Sequence, residues 1–271
     1  MRKIGLDFGT CNIKGSERKA NGEIKTIKLG KQLDKRVIPN VVLYSEKNGE
    51  YSCLLGNSAL TKVGVDEQDR VRNIKSHLQE KEWTRQLSFG KTVSASDVAT
   101  DIMKSLYKGI HNDNKDHELS LTITVPVNFS KRQQTIVKKA AEEAGFLVAD
   151  IITEPFASVI YLMQEYLDSD SERVVFVFDF GGGTLDLSLV SMVTKKGKRV
   201  IKTSSAVGIT FGGNDINKII FNEIFQKRAS KEIKHATKEQ DNMFHNIMNH
   251  YYIMEKIDEI KEEFFCEDDV D

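Results

Sequence analysis

The 271-residue sequence is poor in cysteine, proline and tryptophan, holding three, three and one of them. Cys11, Cys53 and Cys266 are odd in number, scattered and without metal-ligand spacing. That excludes a disulfide framework and a cysteine metal site, and reads as free thiols in a reducing compartment. Charge of one sign is also missing. The 39 Lys and Arg stand against 40 Asp and Glu, so no field steers the chain to nucleic acid or an anionic membrane. No apolar run is long enough to span a bilayer, and Asp7 arrives too early for a signal-peptide apolar region. A cytoplasmic location is expected. The rest is ordinary: 39% hydrophobic and 29% charged residues suffice for one large domain or two medium ones.

What the sequence does have is one turn twice: Leu6-Asp7-Phe8-Gly9-Thr10-Cys11-Asn12, and Phe178-Asp179-Phe180-Gly181-Gly182-Gly183-Thr184-Leu185-Asp186. Each copy follows a strand-like apolar run and sets a carboxylate, glycine and threonine in a tight bend. Glycine lets backbone N–H groups approach a phosphate, and the threonine hydroxyl adds a donor. An aspartate repels phosphate but suits a metal ion that touches one. Two such turns facing each other would clamp a polyphosphate, which implies a two-lobed nucleotide-binding protein.

Periodicity predicts a strand at 3–6, hairpins through 23–29 and 37–44, and a small polar subdomain over 51–86 with a helix near 57–62. Val98, Ile102, Leu106 and Ile110 recur every fourth residue, giving a helix over 94–111 capped by Ser94 or Ser96. Alternation predicts a strand over 119–125 ended by Pro126, then a helix over 131–145 capped by Ser130 and stopped by Gly145. A strand at 149–153 leads to Glu154-Pro155 and a helix to about residue 167. The polar run 168–172 marks a lobe boundary. Strands at 174–178, 185–193 and 199–207 then repeat the opening plan. From 215 to 265 the chain reads as charged and helical, with Met243, Ile247, Tyr251, Met254, Ile257 and Phe264 along one stripe that packs on a neighbour.

Three tempting motifs fail. Asp-Phe-Gly occurs twice, but the catalytic loop and strand lysine of protein kinases are absent. Gly90-Lys91-Thr92 resembles the end of a P-loop, but Arg85 stands where its first glycine belongs. His245 and His250 fall on different faces of a helix and have no third ligand nearby.

The surviving motifs, in order, resemble those of the seventy-kilodalton heat-shock chaperones of the DnaK type. Gly5-Leu6-Asp7-Phe8-Gly9-Thr10 is similar to that family's first phosphate motif. Lys35-Arg36-Val37-Ile38-Pro39-Asn40 resembles its Arg-Thr-Thr-Pro-Ser segment, and Asn73-Ile74-Lys75 falls where it has a catalytic lysine. Thr124-Val125-Pro126-Val127-Asn128-Phe129, Thr153-Glu154-Pro155, the second glycine turn and Phe211-Gly212-Gly213-Asn214-Asp215 follow in the family's order.

The resemblance implies an α/β, actin-like ATPase (ribonuclease H-like) fold whose two lobes close over Mg-ATP or Mg-ADP. Lobe I would be 1–170, with 35–93 its small subdomain. Lobe II would be 171–271, incomplete, with 210–271 its helical small subdomain. Gly9, Thr10, Cys11 and Asn12 would bind phosphate from one lobe, and Gly181, Gly182, Gly183 and Thr184 from the other. Asp7 and Asp179, supported by Glu154, would hold Mg²⁺ through its waters. Lys75 would meet the γ-phosphate, with Glu154, Asp186 and Thr184 completing the catalytic set. Gly212 and Gly213 would form a third nucleotide turn, and Asp258 and Lys261 would serve the adenosine end.

The sequence departs from the family in places. Cys11 replaces a threonine whose phosphate hydrogen bond is worth about 0.5–1.5 kcal/mol. Asn214 stands where the family has glutamate, and 89–94 abbreviates a sheet region. Glu262 and Phe265 replace the arginine and serine of the adenosine site, and the late Gly-Gly motif is missing. A fragment or a minimal relative is expected.

The expected function is a slowly hydrolysing ATPase domain of a stress-response chaperone. Its partners would be a J-domain co-chaperone, a nucleotide-exchange factor and unfolded polypeptide. The alternative is a nucleotide-sensing scaffold, or pseudo-ATPase, with little hydrolysis. A sugar or acetate kinase would need an acceptor pocket, of which the sequence gives no sign. An unpaired edge in the second sheet predicts self-association.

Overall fold

The computed structural model describes residues 1–29, 36–111, 118–165, 172–195, 198–226, 256–258 and 260–261. Lys35, the polar breaker at 168–171, His245, His250, Glu262, Phe265 and Cys266 lie outside the described residues, as does the predicted stripe except Ile257. The chain divides into two compact units, Met1–Thr210 and Phe211–Asp271.

In the first unit, β1 (Arg2–Phe8) and β2 (Asn12–Arg18) form a hairpin around the first glycine turn, and β3 (Ile24–Thr26) and β4 (Val37–Pro39) both pair with β2. β5 (Val41–Lys47), β6 (Glu50–Leu55), helix α1 (Asn57–Leu60) and β7 (Arg70–Arg72) build a small sheet ordered β6-β5-β7. Helix α2 (Ile74–His77) and the hairpin β8 (Thr84–Gln86) and β9 (Thr92–Ser94) follow. Then come α3 (Ala95–His111), β10 (Leu119–Val125), α4 (Lys131–Ala144), β11 (Leu147–Thr153) and α5 (Glu154–Glu165). The unit closes with the antiparallel strands β12 (Glu172–Phe180), β13 (Leu185–Lys195) and β14 (Lys198–Ile209).

Local chemistry fixes the long helices. Ser94 Oγ accepts from the Asp97 N–H at 3.2 Å, while the Asp97 carboxylate accepts from the Ser94 N–H at 2.9 Å, closing a capping box at the start of α3. Ser130 and Gln133 do the same for α4. Gly145 ends α4 at φ 107°, and a Cβ there would also meet the Tyr107 ring at 3.0 Å.

The large sheet runs β11-β10-β1-β2-β3, with β1 parallel to β10 and antiparallel to β2. Ile4, Leu6 and Phe8 alternate on β1, as Leu119, Leu121, Ile123 and Val125 do on β10, and all are buried. They form one core with Val98, Ile102 and Leu106 of α3 and with Val137 and Ala140 of α4. The second sheet, β12-β13-β14, has a smaller core in which Val159 of α5 meets Val190 and Met192. Both sheets lead with a strand that ends in an Asp-Phe-Gly bend.

One buried carboxylate staples the main hairpin. Glu17 accepts from Arg2 at 2.8 Å and from Lys19 at 2.6 Å, and the Arg2 guanidinium chiefly lowers its pKa to about 2, against burial. Because the folded pKa lies below the unfolded one, this stability is present above about pH 4.5 and is lost as pH falls towards 2. Glu17→Gln is expected to cost about 2–3 kcal/mol at neutral pH and almost nothing near pH 2, read from urea unfolding at both.

The second unit begins with α6 (Gly213–Ile220), followed by a π-helical segment Phe221–Gln226. Asn217 is buried there and donates to Asp258 at 2.6 Å. Ile257 is also buried.

Candidate functional site

The two glycine turns meet. At the β1–β2 bend, a Cβ on Gly9 would lie 2.3 Å from the Asn12 carbonyl oxygen, so only glycine closes that turn. At the β12–β13 bend, the Gly181 N–H donates to the Thr184 carbonyl at 2.9 Å. Gly183 then lies against the first turn: a Cβ on it would stand 2.8 Å from both Cγ2 and Oγ1 of Thr10.

A cavity of about 460 Å³ opens on these bends. The first turn lines it with Gly9, Thr10, Cys11 and Asn12, and the second with Gly181, Gly182 and Thr184. Asp7 and Asp179, at matching positions on β1 and β12, line it as well. Thr124 on β10 donates to Asp7 at 3.1 Å.

Lys75 enters from α2, a short helix that Asn73 opens in the left-handed region at φ 53°. Its ammonium is buried and donates to Glu154, the first residue of α5, at 2.5 Å. It also lies 5.7 Å from the centre of the Phe129 ring. Burial raises the Glu154 pKa, Lys75 opposes that, and Asp7 and Asp179 add to it. Burial likewise raises the Asp179 carboxyl, with Asp186 and Asp7 adding to the shift and Lys75 and Lys14 opposing it. The cleft therefore gathers more negative charge than its own lysines neutralise.

The remaining candidates are Asp186 in the first unit and Gly212, Gly213, Asp258 and Lys261 in the second. Asp186 is fully buried on β13, does not line the cavity, and accepts from the Val127 N–H at 3.2 Å. Gly208 on β14 makes room for it, since a Cβ there would lie 2.4 Å from its carboxylate oxygen. In the second unit, the Gly212 N–H donates to Asp215 at 3.0 Å as the cap of α6. Lys261 donates to Asn217 at 2.9 Å and to Asp258 at 2.8 Å, and reaches the Gly213 carbonyl at 3.5 Å. Among the described residues, no three of His, Cys, Asp and Glu converge to grip an ion directly. Cys11 and Cys53 form no disulfide.

Sequence reasoning assigned no role to three residues that shape the site: Lys14, Thr124 and Asn40. Lys14 lines the cavity two residues beyond Asn12 on β2, so strand alternation carries its signal. Asn40 braces the first turn twice, its side chain donating to the Gly9 carbonyl at 2.8 Å and its backbone N–H to the Cys11 carbonyl at 2.7 Å. Its own carbonyl accepts from the Asn73 N–H at 3.2 Å.

A pair of sheets, each leading with a strand that ends in an Asp-Phe-Gly bend, with both bends on one cavity, defines an α/β protein of the actin-like ATPase class. The family profile described as Hsp70 protein matches residues 73–257, and the chain belongs to that family. It is similar to the chaperone protein DnaK of Halobacterium salinarum, 30% identical over 192 residues, covering 69% of this chain and 28% of that protein. The chaperone protein HscA homolog of Burkholderia lata is 27% identical over 241 residues, covering 82% and 36%. The HscA homolog of a Janthinobacterium species is 29% identical over 233 residues, covering 79% and 36%. The chain spans about a third of the length of these curated relatives.

Proposed function

We propose that the cavity binds Mg-ATP and Mg-ADP by their phosphates and hydrolyses ATP slowly, as the nucleotide domain of a chaperone. The observation that carries this reading is the contact of the two glycine turns, Gly183 on Thr10, beside one cavity flanked by Asp7 and Asp179. Backbone N–H groups of both bends would hold the phosphate oxygens, with the Thr10 and Thr184 hydroxyls adding donors. The carboxylate excess fits a divalent cation, which Asp7 and Asp179 would hold through its own waters. Such an ion would neutralise charge on the β- and γ-phosphates. Lys75, released from Glu154, would place its ammonium against the γ-phosphate, and Glu154 would then be free to orient water. Asp186 would act from behind the second turn, tying the start of β13 to the loop after β10 through the Val127 N–H.

A second reading, a nucleotide-sensing scaffold with little hydrolysis, draws on the Lys75–Glu154 pair and on Asp186 lying outside the cavity. Both readings require nucleotide binding. Isothermal titration should show Mg-ADP heat for this chain and at least a tenfold weaker constant for Asp179→Ala, about 1.4 kcal/mol. No heat from the unaltered chain at high concentration overturns both. Single-turnover hydrolysis separates them.

The chaperone cycle and its partners (a J-domain co-chaperone, an exchange factor and unfolded polypeptide) belong to the same proposal, as does a cytoplasmic location. No helix among the described residues is long and apolar enough to cross a membrane.

A further inference from the structure

Three side chains form one row across the first sheet. Asp7 on β1 pairs with Lys14 on β2 and with Thr124 on β10, and residues directly across a ladder share a face. All three line the phosphate cavity. The other face of the same strands carries Leu6, Phe8 and Ile13 into the core with α3 and α4. Strand alternation therefore sends the Lys14 stem away from the core and onto the cavity side.

Lys14 and Lys75 both line this cavity, and they are held differently. The Lys75 ammonium is buried and tied to Glu154 at 2.5 Å. The Lys14 side chain is exposed, and among the described residues its ammonium forms no ion pair and no hydrogen bond. Asp7 is instead met from its other side, by the Thr124 hydroxyl at 3.1 Å. The Lys14 charge is still felt at the second bend, where it opposes the rise that burial imposes on the Asp179 carboxyl.

A phosphate tail entering the cavity meets three carboxylates, Asp7, Glu154 and Asp179, and like charges repel. Lys75 can offset that repulsion only by leaving Glu154 without its cation in a largely buried place, which is costly. Lys14 can meet the same phosphates without breaking any contact. We propose that Lys14 is a phosphate ligand, which takes the first hold on the nucleotide's di- or triphosphate while Lys75 is still paired, and which lets that tail bind without a divalent cation. The inference rests on the nucleotide reading of the cavity and adds to it a second cation, supplied by β2.

Isothermal titration of ADP into the unaltered chain and Lys14→Met, each with Mg²⁺ and with EDTA, tests it. Lys14→Met keeps the stem and should weaken Mg-ADP about tenfold, the scale of one charge-assisted hydrogen bond, and should weaken ADP in EDTA by more. Lys14→Arg keeps the charge and should stay within about threefold of the unaltered chain. Lys14→Gln is a second charge-free form, and urea unfolding without ligand reports the fold of each. Inorganic pyrophosphate competing with ADP should show the same loss, which assigns the contact to the phosphates and not the base. Lys108→Met removes an equal charge from an exposed position on α3 outside the cavity, and should bind as the unaltered chain does. No heat from the unaltered chain under either condition removes the nucleotide reading and this inference together. Mg-ADP bound equally well by the unaltered chain and by Lys14→Met overturns the inference alone. So does an unaltered chain that binds Mg-ADP but gives no heat with ADP in EDTA.

Discussion

Gly183→Ala is expected to weaken Mg-ADP binding by about 100-fold, the loss of two charge-assisted phosphate hydrogen bonds, while the thermal unfolding midpoint falls by only a few degrees. The added Cβ would arrive 2.8 Å from two side-chain atoms of Thr10 at once, closer than carbon atoms sit in native packing. Thr10 is 8% exposed, and its branched side chain has γ atoms on both sides of the collision, so rotating χ1 exchanges one clash for another. The bends must separate instead, and in the proposed binding mode each would donate to the same phosphates. A misplacement of a few tenths of an ångström at both ends of a clamp is felt where hydrogen-bond geometry is steep. Thr10→Ala alone removes one hydroxyl and should cost far less. Combined with Gly183→Ala it should recover much of the binding, because the obstacle is gone. Isothermal titration of the four proteins completes the cycle. Binding by Gly183→Ala within about threefold of the unaltered chain, under 1 kcal/mol, would refute the contact as the determinant of the phosphate site.

Lys75→Ala is expected to lower the single-turnover hydrolysis rate by about 10²–10³, the usual cost of removing one preorganised electrostatic donor. The same change leaves Glu154 in a largely buried position without its cation, and breaking one side of such a pair costs about 3–5 kcal/mol. Two measurements separate these effects. Burial already raises the Glu154 pKa with Lys75 in place, and without Lys75 it rises further. A folded pKa above the unfolded one gives stability that is greatest at acid pH and is lost as pH climbs through the folded value. The variant should therefore be nearly as stable as the unaltered chain near pH 5 and clearly less stable near pH 8, by urea unfolding at each. Lys75→Ala with Glu154→Gln should restore stability at pH 8 without restoring hydrolysis. A hydrolysis rate within about tenfold of the unaltered chain would favour the sensing scaffold over the ATPase.

How much of this was legible in the sequence depends on how local its causes are. α4 could be read to the residue, because Ser130, Gln133 and Gly145 carry its start and stop within the segment itself. β10 was equally plain from its alternation and from Pro126. In the small sheet β6-β5-β7, most of β5 was read as a hairpin over 37–44, while β6 and β7 were lost in the polar, mixed stretch 51–86. The sheet's strands are short, and it is held by a buried arginine, Arg70, whose guanidinium donates to the Ala59 carbonyl at 2.9 Å. Nothing in a window of ten residues announces that contact. Lys75 was located only through the resemblance to a family. Its partner Glu154 is 79 residues away, and the spacing of charges along the chain does not reveal such a pair. Thr124 and Asn40 escaped for the same reason: each acts on a turn that belongs to a different stretch of sequence.

Asn40 has a consequence of its own. Three hydrogen bonds tie this one buried side chain and its peptide to the first bend on one side and to the entrance of α2 on the other. The proposed grip on the nucleotide tail and the position of the Lys75 ammonium therefore share a single strut. On the proposed function, anything that loosens the strut would disturb capture and turnover together, so natural variation there would not trade one for the other.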